Sequence, residues 1–264
     1  MDQLKGKVVV VTGSGRGIGR AVARRAASEG ASLSLCDTNE SDLAQSAKEV
    51  EALGADVVST VCDIGVRAEV DEMVRRTVER FGTIDVLVNN AQRVPLPTPA
   101  EDITDAQWDT VSSSGAFGAL LCSQAAFPHL RTRGGSIVNF SSAAGLVGAP
   151  WLLPYAATKA AMIALTYTLA QEWGKYSIRV NAVAPAAFTP AALLWVEQVA
   201  ARVAETGEAA PKGIATDQTL MTSALPPQHD PETTVAPVVV FLASDGAINV
   251  TGQTICIDGG IVMH

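Results

Sequence analysis

Of the three tyrosines in the chain, only Tyr155 has a lysine four residues on, Lys159; Tyr167 is followed at that distance by Gln171 and Tyr176 by Val180. Residues four apart share one face of a helix. An ammonium beside a phenol favours the phenolate and brings its pKa toward a range useful for proton transfer. Such a pair can take a proton from an alcohol or give one to a ketone, although a helical Tyr–Lys pair also arises by chance. A second group of residues could hold a cofactor. The run Thr12-Gly13-Ser14-Gly15-Arg16-Gly17-Ile18-Gly19 follows an apolar stretch and opens a helical pattern. Glycine there permits a tight turn at positive φ and close approach of backbone to a pyrophosphate. The free N–H groups of the helix that follows, at its positive end, would bind the phosphates. Asp37 lies eighteen residues beyond Gly19. A carboxylate there can accept from ribose hydroxyls and repels a 2′-phosphate, which favours NAD(H); a plain turn aspartate is the alternative. Arg16 pulls the other way, since a basic residue in this turn can meet a 2′-phosphate, but no Arg or Lys follows Asp37 to help it.

These groups need elements to position them. Apolar, β-branched runs at Val8–Thr12, Ala31–Cys36, Asp56–Cys62, Ile84–Asn89, Gly135–Ser141, Ile178–Ala184 and Thr254–Ile257 read as strands. Several are continuous instead of alternating, as parallel strands covered on both faces are. Amphipathic segments such as Glu40–Leu53 and Val66–Phe81 lie between them. The alternation predicts α/β architecture: a single Rossmann-type domain over residues 1–264, with a doubly wound, mostly parallel seven-stranded sheet and helices on both faces. Residues 190–231 break the rhythm, with no strand candidate, apolar Leu193, Leu194, Trp195, Val196, Leu220 and Met221, and Pro211, Pro226 and Pro227. So long an insertion after a strand's carboxyl end reads as a substrate lid.

Composition narrows the function classes. The chain is 48% hydrophobic and 17% charged, which argues against disorder, and its formal charge of −8 argues against nucleic acid as a partner. The four cysteines, Cys36, Cys62, Cys122 and Cys256, are far apart and read as free buried thiols of a reducing compartment. His129, His229 and His264 lack the spacing of a zinc site, so no metal is expected, and no G-x-S-x-G elbow marks a hydrolase. The start runs straight into a strand without a secretory pattern, and no apolar run approaches the roughly 18 residues that span a bilayer. The expectation is a cytoplasmic protein without a membrane partner.

Taken together and in order, the motifs resemble the short-chain dehydrogenase/reductase family over nearly the whole chain. The phosphate turn T-G-x-x-x-G-x-G is matched by Thr12, Gly13, Gly17 and Gly19, with Ile18 and Arg16 inside it. Asp63 corresponds to an adenine-contacting aspartate, and Asn89-Asn90-Ala91-Gln92 to an N-N-A-G motif near the cofactor. Ser142, thirteen residues before Tyr155, matches the active-site serine, and Tyr155 to Lys159 the Y-x-x-x-K motif. Pro185 and Thr189 fall where the family closes over the nicotinamide, and Thr251-Gly252-Gln253 with Asp258-Gly259-Gly260 matches its closing segment. The resemblance implies that Ser142 holds the substrate oxygen, that Tyr155 exchanges the proton, and that Lys159 reaches the nicotinamide ribose. It also implies a homo-oligomer, dimer or tetramer, with which the apolar positions of Ala160–Leu169 and Ile261-Val262-Met263 are compatible.

The chain departs from the family pattern at three positions. Gly115, thirteen residues before a helix-ending Pro128, stands where the family usually has an asparagine credited with holding a water beside the lysine. Gln92 replaces the glycine of N-N-A-G, and Ala186 follows Pro185 in place of glycine. Drift is one explanation; another is that the Gln92 side chain supplies the carboxamide missing at Gly115. Trp151, Leu152, Trp195 and Gln92 are the candidate substrate pocket. The combined expectation is an NAD(H)-dependent interconversion of a secondary alcohol and a ketone on a lipophilic or cyclic substrate. The alternatives are a 3-oxoacyl-thioester reductase or 3-hydroxyacyl-CoA dehydrogenase, and a non-catalytic dinucleotide-binding scaffold. Basic residues at the pocket mouth would mark the thioester reading, with Arg93 and Lys212 the only candidates.

Overall fold

The computed structural model describes residues 2–187, 189–211, 224–225 and 230–262. Seven strands form its centre: β1 (Val8–Thr12), β2 (Ser32–Asp37), β3 (Val57–Val61), β4 (Val86–Asn89), β5 (Gly135–Phe140), β6 (Ile178–Pro185) and β7 (Thr254–Ile257). They pair in the order β3-β2-β1-β4-β5-β6-β7, and every pairing is parallel. The strand order reverses between β1 and β4, the place where open α/β sheets bind ligands beyond the strands' carboxyl ends.

The helices are α1 (Gly17–Ser28), α2 (Glu40–Ala52), α3 (Arg67–Phe81), α4 (Asp105–Ser112), α5 (Gly118–Arg133), α6 (Ala143–Val147), α7 (Leu153–Trp173), α8 (Pro190–Thr206) and α9 (Ala236–Ala243). Successive strand residues face opposite ways, so both faces of the sheet must be apolar. Val9 and Val11 join Val22 and Ala23 of α1 and Val239 and Val240 of α9 in one core. Val10, Leu87 and Ile137 join α3, α5 and α7 in the other through Met73, Leu121 and Leu169.

Strand limits differ from the sequence reading by one or two residues; β2, for instance, includes Asp37 and omits Ala31. Cys62 is buried just past β3, and Cys256 of β7 is only half-buried, so the expectation of four buried thiols holds for three. Pro128 does not end a helix, since α5 continues through it to Arg133. The first part of the insertion folds as α8. Pro190 starts it, and the Thr189 hydroxyl caps it by accepting from the Ala192 N–H at 3.1 Å. Leu193 and Leu194 are exposed, whereas Trp195 is buried. Lys212, Leu220, Met221, Pro226, Pro227, His229, Met263 and His264 lie outside the described residues. Among the described residues no helix is long and apolar enough to cross a membrane.

Candidate active site

The carboxyl end of β5 supplies Ser141 and Ser142, which face opposite ways as neighbours on extended chain do. Ser141 is buried and its hydroxyl donates to the Lys159 carbonyl at 2.8 Å, fixing α7 against the sheet. Ser142 is the N-cap of α6, accepting from the Ala144 N–H at 3.2 Å. Helix α7 opens at Leu153-Pro154, which places Tyr155 and Lys159 on its first turns. Lys159 is buried, and its Nζ donates to the Phe140 carbonyl at 2.7 Å and lies 5.3 Å from the Tyr155 ring centroid. Ser142, Tyr155 and Lys159 are thus gathered at one end of the sheet. The expected lowering of the phenol's pKa by the lysine is not what this arrangement produces. Burial raises the Tyr155 pKa, with the Ser142 hydroxyl as a hydrogen-bond partner working against it. Burial also draws Lys159 down from 10.5 to about 7, because the charged form loses its water.

The glycine turn lies two strands over, at the end of β1 with β4 between it and β5. A Cβ at Gly19 would stand 2.1 Å from the Gly13 carbonyl oxygen, so the turn closes only with glycine there. Helix α1 starts at Gly17 with Arg16 as an N-cap that makes no side-chain cap bond and with no acid in the first turn. By contrast α2 has Asn39 as cap with Glu40 and Asp42, and α4 has Thr104 with Asp105. The positive end of α1 is therefore left for an anion brought from outside, which fits a pyrophosphate. Asp37 ends β2 beside the turn, its carboxylate accepting from the Gly15 N–H at 2.9 Å and the Asn39 N–H at 3.0 Å. Arg16 is exposed, and its side chain has no hydrogen-bond or ion-pair partner among the described residues. Residues 13–19 with Asp37 thus suit a dinucleotide.

Other expected contacts are differently placed. The Asn89 side chain is turned inside the protein, its Nδ2 donating to Ser123 Oγ at 3.2 Å and Asn139 Oδ1 at 2.9 Å, so it ties β4 to α5 and β5. Asn90, which the sequence reading did not single out, donates to the carbonyls of Thr12 at 2.9 Å and Gly13 at 3.0 Å. The Ala91 N–H donates to the Thr12 hydroxyl at 3.1 Å. Arg20 was also missed: its Nε donates to the Gly15 carbonyl at 2.8 Å, and its guanidinium reaches Glu49. Nothing in a helical arginine announces that role, because it depends on α2 lying alongside. Asp63 is already engaged by Arg93 Nη2 at 2.8 Å and by the Gly65 N–H at 3.0 Å. Burial raises its pKa, but the Arg93 hydrogen bond and charge and the Gly65 N–H outweigh that and leave it lowered. Pro185 ends β6, and a Cβ built on Gly17 would lie 3.7 Å from Thr189 Cβ, so the turn and the start of α8 are neighbours.

Gln92, a pocket candidate, is held beside the junction of α4 and α5. Its Nε2 donates to the carbonyls of Val111 at 3.0 Å and Arg93 at 3.1 Å, beside the π-turn Ser113–Phe117 that separates α4 from α5. Gly115 sits in that turn with φ −102° and ψ −119°, a break in the helical path. A Cβ on Gly115 would lie 2.6 Å from Gln92 Oε1, 3.0 Å from its Nε2 and 2.0 Å from Thr158 Cγ2. The Gln92 carboxamide therefore occupies the space of a side chain at 115. The remaining three pocket candidates do assemble. Trp151, Leu152 and Trp195, with Val199, form a buried apolar cluster against which Tyr155 packs.

A family profile described as short chain dehydrogenase matches residues 7–197. Levodione reductase of Leifsonia aquatica is 37% identical over 257 residues, covering 96% of this chain and 93% of its own. The 3-oxoacyl-(acyl-carrier-protein) reductase FabG of Thermotoga maritima is 37% identical over 263 residues, covering 99% and 100%. The crystal structure of NAD⁺-bound xylitol dehydrogenase superimposes with a TM-score of 0.87 at 33% identity, over 98% of this chain and all of the other.

Proposed function

Because the chain belongs to the short-chain dehydrogenase family, we propose that it is an NAD(H)-dependent enzyme that interconverts a secondary alcohol and a ketone on a lipophilic or cyclic substrate. At the coarser level it is an oxidoreductase acting between CH–OH and keto groups. The observation that carries the finer reading is the assembly of Ser142, Tyr155 and Lys159 under an apolar roof of Trp151, Leu152 and Trp195. Bound at the glycine turn, NAD(H) would supply the hydride acceptor or donor. Residues 13–19 would hold its phosphates and Asp37 its adenosine ribose, as a carboxylate that repels a 2′-phosphate. The NAD⁺ of the similar xylitol dehydrogenase supports the same cofactor here.

The chain's own part is proton transfer and positioning. The Ser142 hydroxyl holds the substrate oxygen next to the phenol. In oxidation Tyr155 Oη takes the alcohol proton, and in reduction it returns one to the ketone oxygen. Burial favours the protonated phenol, so reduction is served at neutral pH and oxidation gains as pH rises. Lys159, anchored on the Phe140 carbonyl, offers its remaining donors toward the cofactor ribose. Cofactor and substrate sites would share one domain of a cytoplasmic homo-oligomer, dimer or tetramer, which sedimentation at micromolar concentration tests.

The test is the near-ultraviolet absorbance of reduced nicotinamide, with purified protein and aliphatic, aromatic, terpenoid, steroid and hydroxyacyl alcohols. The expected result is NAD⁺ reduction with a lipophilic alcohol, abolished in Tyr155→Phe. Preference for NADP⁺ would overturn the role given to Asp37, and silence despite NAD⁺ binding would return the scaffold reading. A thioester reductase is the second reading, supported by the likeness to the acyl-carrier-protein reductase. Against it, Arg93 is committed to Asp63. Turnover of hydroxyacyl thioesters alone would decide for it.

A further inference from the structure

Seven buried side-chain polar atoms have no hydrogen-bond partner among the described residues. Five are hydroxyl or carbonyl oxygens. The remaining two are N–H donors, Trp195 Nε1 and Arg202 Nε, and both belong to α8. Seven residues apart, they lie on one helical face, the face that carries Val199 and Val203 down onto Trp151, Leu152 and Tyr155. Trp195 is only 5% exposed. The Arg202 guanidinium carbon stands 5.2 Å from the Trp151 ring centroid, and its Nη2 is 3.9 Å from Glu208. A buried N–H without an acceptor costs free energy and is rare in folded proteins. Both belong to the helical face that packs on the apolar cluster against which Tyr155 rests, and each is an N–H donor without an acceptor among the described residues.

The connection between α6 and α7 is strained in the same place. Trp151 has φ 60°, a left-handed conformation that a bulky residue adopts only when its surroundings impose it, and the Thr98 N–H holds it there through the Trp151 carbonyl at 3.0 Å. That conformation sets the indole of Trp151 under Arg202.

We propose that Trp195 Nε1 and Arg202 Nε form a second recognition point for the substrate, binding a neutral carbonyl oxygen remote from the carbon that exchanges hydride. The assignment deepens the ketone–alcohol reading above and rests on it for the placement of the reacting carbon. A neutral oxygen fits better than a carboxylate. The indole is an uncharged donor, the guanidinium already has Glu208 nearby, and the sequence from 190 to 232 holds six acids against two bases, Arg202 and Lys212. The substrate class is therefore an apolar ketone or hydroxyketone with a second carbonyl.

The test uses matched ketones that differ by one carbonyl: para-cyclohexanedione against cyclohexanone, and acetonylacetone against methyl butyl ketone. With NADH, the parent is expected to prefer the diketone in kcat/KM by about ten-fold, the factor one hydrogen bond carries, beyond the statistical advantage of two equivalent carbonyls. In Trp195→Phe, which keeps the ring and removes the donor, that ratio falls to near the statistical value. Arg202→Met, which keeps the stem packed on Trp151, lowers it in the same direction. The second readout needs no turnover. In isotope-labelled protein holding NADH, the Trp195 indole N–H resonance, identified by its loss in Trp195→Phe, is expected to move with each diketone and not with its monoketone. An equal fall for both ketones in the variants assigns Trp195 to packing and overturns the proposal. So does an indole resonance that neither diketone moves, in which case water alone satisfies the donor. Absence of turnover with a moving indole would sink the ketone–alcohol reading and leave the recognition point standing.

Discussion

Lys159 keeps one acceptor, the Phe140 carbonyl, and no carboxylate lies against it among the described residues. Burial draws its pKa from 10.5 to about 7. The folded chain therefore releases this proton near pH 7, whereas the unfolded chain holds it to about 10.5. Between those values the unfolded state binds more protons, so stability rises with pH; the burden is full below about 7 and gone above 10.5. Lys159→Met is expected to be more stable than the parent by about 2–4 kcal/mol near pH 6 and equal to it above the upper limit. Urea titrations across that range check it, and a parent whose stability is flat there would contradict the burial. At Gly115, alanine meets the Thr158 methyl and the Gln92 carboxamide, so Gly115→Ala should cost about 1–3 kcal/mol. Adding Gln92→Ala should return part of that loss, as a thermal melt of the double variant would record. At this scale the sequence was informative where spacing carries geometry: Tyr155 and Lys159 share a face because they are four apart. It did not show that the Asn89 amide points inward, because motif position does not say which way a strand side chain points.

Strands were legible to within two residues because they are continuous apolar runs with glycine or polar boundaries, and β1 and β7 matched throughout. The π-turn at Ser113–Phe117 was not, since it depends on what α7 and Gln92 leave room for. The insertion after β6 was legible as an interruption but not as α8, whose start is set by the Thr189 cap and Pro190. At the junction of β1, α1 and β2, one carboxylate serves two purposes. Asp37 braces the turn through the Gly15 N–H and holds the start of α2 through the Asn39 N–H. Asp37→Ser should raise the KM for NAD⁺ by about ten-fold, the worth of a charged hydrogen bond, and let NADP⁺ compete. Initial rates with both cofactors measure it. An unchanged cofactor ratio would mean that the aspartate acts only on the turn.

Across the molecule, the parallel order with its reversal between β1 and β4 could be anticipated from alternating strands and helices. What could not be read from the chain is how far its parts lean on one another: Arg24 joins α1 to Glu49 of α2 at 3.0 Å and to Glu232 at 3.3 Å, over two hundred residues on. A second such junction bears on kinetics. Thr189, the cap of α8, is a neighbour of Gly17 in the phosphate turn, and α8 carries the roof over Tyr155. With the proposed cofactor in the turn, the start of α8 would be engaged before an alcohol sits beneath the roof. The expected order on that proposal is nicotinamide first on, last off. Product-inhibition patterns should show NADH competing with NAD⁺ and the ketone product failing to compete with it. A random pattern would mean that roof and turn move independently.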